Sequence, residues 1–312
     1  MTFHDLNALG KLREPFLFIS DFKAQKLEVF LLKELHVEEV EFCMDANYST
    51  KKHAHFLRKT PLDFNAYEEK FLAVIEQIKS GNTYLLNLTQ STKIQTSLTL
   101  KEMYALANAQ YKLRLRDEFV CFSPEKFVQI SANIIHTYPM KGTIDAALPN
   151  AKEIILRDAK EMAEHVMVVD LLRNDLSMVA QNVKVENFRY VTEVEAGEKK
   201  LLQVSSHISG FVGNEWHEKI GDILQTLLPA GSISGAPKKS TLQIIDKVEG
   251  YERGFYSGVF GVYDGVTLES AVMIRFIEKT QDGYMYKSGG GITLDSDAVS
   301  EYNELSDKVY LP

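Results

Sequence analysis

Tyr138-Pro139-Met140-Lys141-Gly142-Thr143 sets one lysine between a proline turn and a Gly-Thr pair, and the reading of the whole chain turns on it. The alternating run 134–138 ahead of it reads as a strand, preceded by strands at 118–123 and 127–131 and a turn at Ala132-Asn133. A lysine placed in this way is a candidate nucleophile. Free lysine has a pKa near ~10.4, so only about one in a few thousand is neutral at neutral pH. Nucleophilic use therefore requires a pocket that disfavours the ammonium by about 4 kcal/mol, more than an exposed loop can supply. On this segment alone a solvated charge after a strand is the competing reading.

Composition narrows the class. The chain has 312 residues, 45% hydrophobic and 25% charged, which suits a globular enzyme with a sizeable core and argues against disorder. Lys plus Arg number 35 against 43 Asp plus Glu, a net charge of −8, so nucleic acid is not expected as a partner. The longest apolar runs are far short of the ~20 residues that span a membrane. Met1 to Arg13 carries acidic and polar residues where a signal peptide has its apolar centre, so no membrane partner and a cytoplasmic location are expected. Cys43 and Cys121 have no C-x-x-C spacing and read as reduced thiols. His53 and His55 sit in a basic, polar stretch without a third ligand nearby and read as surface.

Along the chain, residues 16–19, 27–32 and 37–43 read as strands, and residues 1–60 as a short N-terminal segment of the same domain as the core at 61–312. Asn65 and Glu68 open an amphipathic helix that Gly81 stops. A strand at 83–94 follows, then a capping box at Thr99 and Glu102 opening a helix to about residue 110. Pro149-Asn150 starts a long helix, 151–170, in which Glu161 and Glu164 share a face. After strands at 183–186, 190–194 and 201–209, a helix at 216–228 leads into the irregular loop 229–237, whose small residues can aim backbone N–H groups at a ligand before the helix at 238–249. The run 271–277 reads as a strand carrying Arg275, which wants a carboxylate, and Gly289-Gly290-Gly291 lets backbone amides approach one. Near the C-terminus residues 295–297 cap a last helix in which Glu301 and Glu304 repeat the three-residue acidic spacing. Two such pairs suggest one site, and hard oxygen donors without clustered histidine or cysteine suit Mg²⁺.

Together these segments resemble the chorismate-utilising family, which includes anthranilate synthase component I, aminodeoxychorismate synthase component I and the isochorismate and salicylate synthases. The resemblance runs from about Asn65 to the C-terminus. It is carried by GNTYLLNLT at 81–89, FSPEKF at 122–127, PMKGT at 139–143, AEHVMVVDLLRNDL at 163–176, PAGSISGAPK at 229–238, YSGVFGVY at 256–263 and the E-x-x-E within 289–304. It implies a single α+β chorismate-binding domain of two large antiparallel sheets packed together with helices outside, the active site between them. Lys141 resembles the lysine of aminodeoxychorismate synthases, where anthranilate synthases usually carry a small residue. The general-base lysine of isochorismate and salicylate synthases has no counterpart in Tyr84-Leu85-Leu86-Asn87. The resemblance implies that Mg²⁺ on Glu161, Glu164, Glu301 and Glu304 takes the ring carboxylate of chorismate, that Lys141 attacks the ring, and that Glu125 protonates the departing hydroxyl. Ammonia, from a glutamine amidotransferase partner, then displaces the lysine to give 4-amino-4-deoxychorismate for p-aminobenzoate and folate. Tyr256, Arg275, Gly289 and Gly291 would hold the side-chain carboxylate, with Gly142, Thr143, Ser232 and Lys308 lining the pocket. Ser177-Met178 and Gln203 depart from the family pattern, and regulation by tryptophan is not expected.

Overall fold

Strand β1 (Phe16–Ser20) is covered on both sides, and this explains how the layers are assembled. Successive strand side chains point to opposite faces: Phe16 and Phe18 enter one core and Leu17 and Ile19 another, all at 0% exposure. The computed structural model describes residues 1–45, 56–60, 63–196 and 199–312. Helix α1 (Phe3–Lys11) precedes β1, and β2 (Leu27–Leu31), β3 (Val40–Met44), β4 (Leu57–Thr60), α2 (Phe64–Lys79), β5 (Leu85–Thr96), α3 (Leu100–Leu106), β6 (Tyr111–Leu115) and β7 (Phe119–Ser123) follow. Then come β8 (Lys126–Ser131), β9 (Ile134–Thr137), β10 (Met140–Asp145), α4 (Ala151–Arg157), α5 (Ala159–Ser177), β11 (Gln181–Ala196), β12 (Lys199–Phe211) and α6 (Ile220–Leu227). The chain closes with β13 (Gly235–Ala236), α7 (Lys238–Val248), β14 (Val259–Tyr263), β15 (Leu268–Val272), β16 (Phe276–Thr280), β17 (Gly283–Ile292) and α8 (Ala298–Asp307).

The strands form two large sheets. One has the order β10-β12-β9-β8-β15-β14-β1-β2 with β11 added to β12, and the other β13-β5-β17-β16-β7-β6-β3 with β4 added to β5. The pairings are antiparallel, from the β1–β2 hairpin to the long β5–β17 ladder. Leu17, Ile19, Phe260 and Ala271 of the first sheet meet Tyr111, Leu113, Phe119 and Phe276 of the second, while a larger core packs both sheets against helices α1, α2, α5, α6 and α7. The α+β architecture expected from the sequence is therefore present. No described helix is long and apolar enough to cross a membrane.

Several boundaries differ from the sequence reading. The residue capping α2 is Asp63, whose side chain accepts from Asn65 N, and not Asn65 itself. The capping box at Thr99 and Glu102 is formed, yet α3 stops at Leu106 and Tyr111–Leu115 is a strand, placed by its pairing with both β3 and β7. The expected helix 151–170 is two helices, because Asp158 takes an extended conformation and its carboxylate accepts from Glu161 N, capping α5. The strand expected at 271–277 is broken, since Arg275 adopts a left-handed φ of 49° between β15 and β16. The two short strands expected at 183–186 and 190–194 belong to one long strand, β11, kinked by register shifts against β12. His53 and His55 lie outside the described residues.

Candidate active site

Lys141 is aimed by a bulge. Across the β10–β12 ladder Met140 faces Ser205 and Thr143 faces Gln203, so Lys141 and Gly142 together occupy the space opposite one residue. An extra residue of this kind bends the strand and redirects a side chain, with glycine taking the positive φ; Gly142 has φ 85°. A β-carbon on Gly142 would also stand 2.9 Å from Glu161 Oε2. Gly142→Ala is thus expected to destabilise the protein by about 1 kcal/mol or more and to displace Glu161, which a melting curve and an activity assay would register together. Opposite the bulge, a β-carbon on Gly291 would stand 3.1 Å from Lys141 Nζ, so the glycine of β17 leaves the amine its room.

Lys141 opens onto a cavity of about 310 Å³ between the sheets, at the small end of the roughly 300–1,000 Å³ usual for small-molecule sites. Glu125, Gly142, Thr143, Ser232, Tyr256, Arg275, Gly289, Gly291, Glu304 and Lys308, all singled out from the sequence, line it as well. Glu125 follows Pro124 in the β7–β8 connection, and the Ser232 hydroxyl donates to its Oε1 at 2.5 Å. Burial pushes the Glu125 carboxyl above the ordinary carboxylate range, against the lowering effects of Ser232, Lys141 and Lys308. Taking the group out of water penalises its charged form, and this outweighs the attraction of the nearby cations. Arg275 has no carboxylate partner among the described residues; its guanidinium lies over the Tyr310 ring at 5.3 Å from the centroid and lines the cavity. Lys308 Nζ donates to Gly289 O at 2.9 Å and pairs with Glu304. Three cations, Lys141, Arg275 and Lys308, thus face two carboxylates, one of them biased toward its neutral form. Such a lining suits an anion.

The sequence pattern of the family described as "chorismate binding enzyme" matches residues 18–311. The chain belongs to this family. It is 47% identical over 310 residues to an "Uncharacterized PabA-like protein" of Haemophilus influenzae, covering 98% of this chain and 94% of that one. It is 32% identical over 260 residues to aminodeoxychorismate synthase component 1 of Salmonella typhimurium, covering 78% of this chain and 56% of the relative. In fold it is similar to MenF, the menaquinone-specific isochorismate synthase of Escherichia coli, with a TM-score of 0.75 at 16% identity over 97% of this chain and 79% of that one.

Around the chorismate-family cavity stand the four carboxylates of the acidic pairs. Glu164, nearly buried, lies 3.5 Å from Lys141 Nζ and 3.8 Å from Lys160 Nζ. Glu161 is raised by burial and by the neighbouring Glu164 charge. Glu301 is raised by burial, and by Glu304 and Glu164, against the hydrogen bond from Ser296. Burial acts to raise Glu304 too, but Lys308, Lys141 and Lys160 outweigh it and hold the group low. Mutual repulsion among hard oxygen donors is the chemistry of a divalent-cation site. As placed, however, no three acidic, histidine or cysteine side chains among the described residues form a ligand cluster; Glu164 and Glu304 are paired with lysines.

Other polar groups of the cavity were not singled out from the sequence. Asn87, Tyr286 and Ser288 line it, beside the Gln203 already noted as a departure from the family pattern, and Asn87 Oδ1 and the Tyr286 hydroxyl are buried without a partner among the described residues. Their signal was a polar group inside an apolar alternating strand, as in Leu86-Asn87-Leu88. His165 is fully buried behind Lys141, its Nε2 2.7 Å from Ser206 Oγ, and burial with the Arg189 charge pulls it down to about 4.

Proposed function

We propose that this protein is an aminodeoxychorismate synthase component I, which converts chorismate and ammonia to 4-amino-4-deoxychorismate. The observation that carries the reading is the lysine in the β10 bulge, facing a raised carboxyl across a cationic cavity. The aminodeoxychorismate synthase relatives support it. Arg275, Lys308, Tyr256 and the Gly289–Gly291 backbone anchor the carboxylates of chorismate. Lys141, once it gives up its proton, attacks the ring; the new C–N bond forms as the C–O bond of the ring hydroxyl breaks. Neutral Glu125 gives its proton to that oxygen, which leaves as water. Ammonia then adds to the ring carbon that lost the hydroxyl, and the lysine departs with its electron pair. A glutamine amidotransferase is the proposed source of ammonia.

Glu161, Glu164, Glu301 and Glu304 are the residues that would hold Mg²⁺, which when bound would supply positive charge for the ring carboxylate. Their donor chemistry fits the ion, although the side chains would have to turn toward a common centre. Glu164→Gln is expected to abolish turnover and also to remove the Mg²⁺-dependent rise in melting temperature expected for the unaltered protein. Unchanged turnover in excess chelator would count against the metal.

The function itself is tested by mixing the protein with chorismate, Mg²⁺ and an ammonium salt and identifying the product. Aminodeoxychorismate is expected; anthranilate as the main product, or no turnover, would overturn the proposal.

A further inference from the structure

Arg253 and Glu249 form an ion pair with both side chains only 1% exposed. Arg253 Nε donates to Glu249 Oε2 at 2.8 Å and Nη2 to Oε1 at 2.6 Å. Desolvating two charges costs about what their attraction returns, and apolar residues of similar volume often stabilise as well or better. An apolar pair would lack donors, however, and Arg253 uses two more. Nη1 donates to Ile233 O at 2.9 Å and Nη2 to Asn87 O at 2.6 Å. Both carbonyls belong to residues that line the cavity, one on the loop after Gly231 and one on β5. Glu249 completes the tie: its Oε1 accepts from Thr89 N at 2.8 Å and from Thr89 Oγ1 at 2.7 Å. The guanidinium is also fixed over the Phe22 ring, 4.3 Å from the centroid. Ile233 directly follows Ser232, whose hydroxyl donates to Glu125.

We propose that Arg253, locked by Glu249, is a positioning residue for the reaction: it pins the Ser232-Ile233 loop to β5 and so keeps the Ser232 hydroxyl on Glu125. The inference rests on the reading of Glu125 as proton donor. It requires arginine, since a lysine ammonium has no planar fork with which to hold a carboxylate and two divergent carbonyls at once. A brace of purely structural value would leave the protonation behaviour of Glu125 alone; a positioning residue would not. Glu125 faces Ser232 from the loop, Lys141 from β10 and Lys308 from the end of α8. As Glu125 acts in its neutral form, activity falls as pH rises through its pKa. The Ser232 hydrogen bond opposes the upward push of burial, so losing that bond moves the alkaline limb to higher pH.

The test is the pH profile of kcat for chorismate turnover with ammonium in Arg253→Lys, Ser232→Ala and the double variant. Arg253→Lys is expected to lower kcat at least about tenfold, keep KM for chorismate within about threefold, and move the alkaline limb upward. Ser232→Ala should move the limb the same way and the double variant no further, because both changes break one link. Glu249→Gln, which keeps its shape, serves as the second variant should melting curves show Arg253→Lys poorly folded, and the same upward shift is expected. An unmoved limb in the folded variants, with losses that add to those of Ser232→Ala, would overturn the proposal. A Glu125→Gln protein that keeps the unaltered protein's limb would instead overturn the reading of Glu125, and the proposal with it.

Discussion

Replacing Lys141 by alanine is expected to lower the rate of 4-amino-4-deoxychorismate formation by about a thousandfold or more, while chorismate still binds. The substitution removes the amine at the bulge and leaves Arg275, Lys308 and the glycines of β17 in place. Binding and chemistry should therefore separate: the dissociation constant for chorismate stays within a few fold while kcat collapses. Direct attack by ammonia on the ring becomes the competing path, so the residual product should shift toward anthranilate. Chromatographic identification of the products, alongside equilibrium binding of chorismate, checks both halves. Loss of binding in parallel with rate would mean that Lys141 is an electrostatic anchor.

Glu125→Gln is the second change of large effect. Glutamine keeps the shape and accepts the Ser232 hydrogen bond, but it has no proton to give to the leaving hydroxyl. A general acid contributes about 10²–10⁴-fold, and kcat should drop by that amount with little change in KM. The pH dependence supplies the independent check. Burial raises Glu125, so the neutral form persists to higher pH than an ordinary glutamate allows, and the unaltered protein should lose activity only as pH climbs through that raised value. The limb should vanish in Glu125→Gln. If the limb stays where it was, another group is the acid.

Much of the site was legible because its residues sit in short motifs whose chemistry survives without coordinates. Glu125, Ser232, Tyr256, Arg275 and Lys308 are far apart in the chain, yet each lines the cavity. What escaped depends on partners the local sequence does not contain. The bulge at Lys141 exists only in register with β12, and from the sequence the same residues read as a proline-led turn. Tyr111–Leu115 was not read as a strand, because its strand character comes from pairing with β3 and β7. The break at Asp158 did leave a trace, the D-x-x-E spacing of Asp158 and Glu161, which the charge pattern of the longer helix concealed. Glu249 and Arg253 look like an exposed i,i+4 pair; their burial follows from the meeting of β5, the loop after Gly231 and the end of α7. Which lysines the acidic pairs meet was not legible either: Glu164 is paired with Lys141 and Lys160, and Glu304 with Lys308.

The central claim is that Lys141 becomes covalently bound to the substrate ring. It is tested most directly by intact-protein mass spectrometry of the unaltered protein, quenched after exposure to chorismate and Mg²⁺ without ammonia, followed by peptide mapping. An added mass equal to chorismate less one water is expected on the peptide containing Lys141, discharged when ammonium is supplied and absent from Lys141→Ala. An adduct-free protein that still makes aminodeoxychorismate once ammonium is added, or full synthesis by Lys141→Ala, would contradict it.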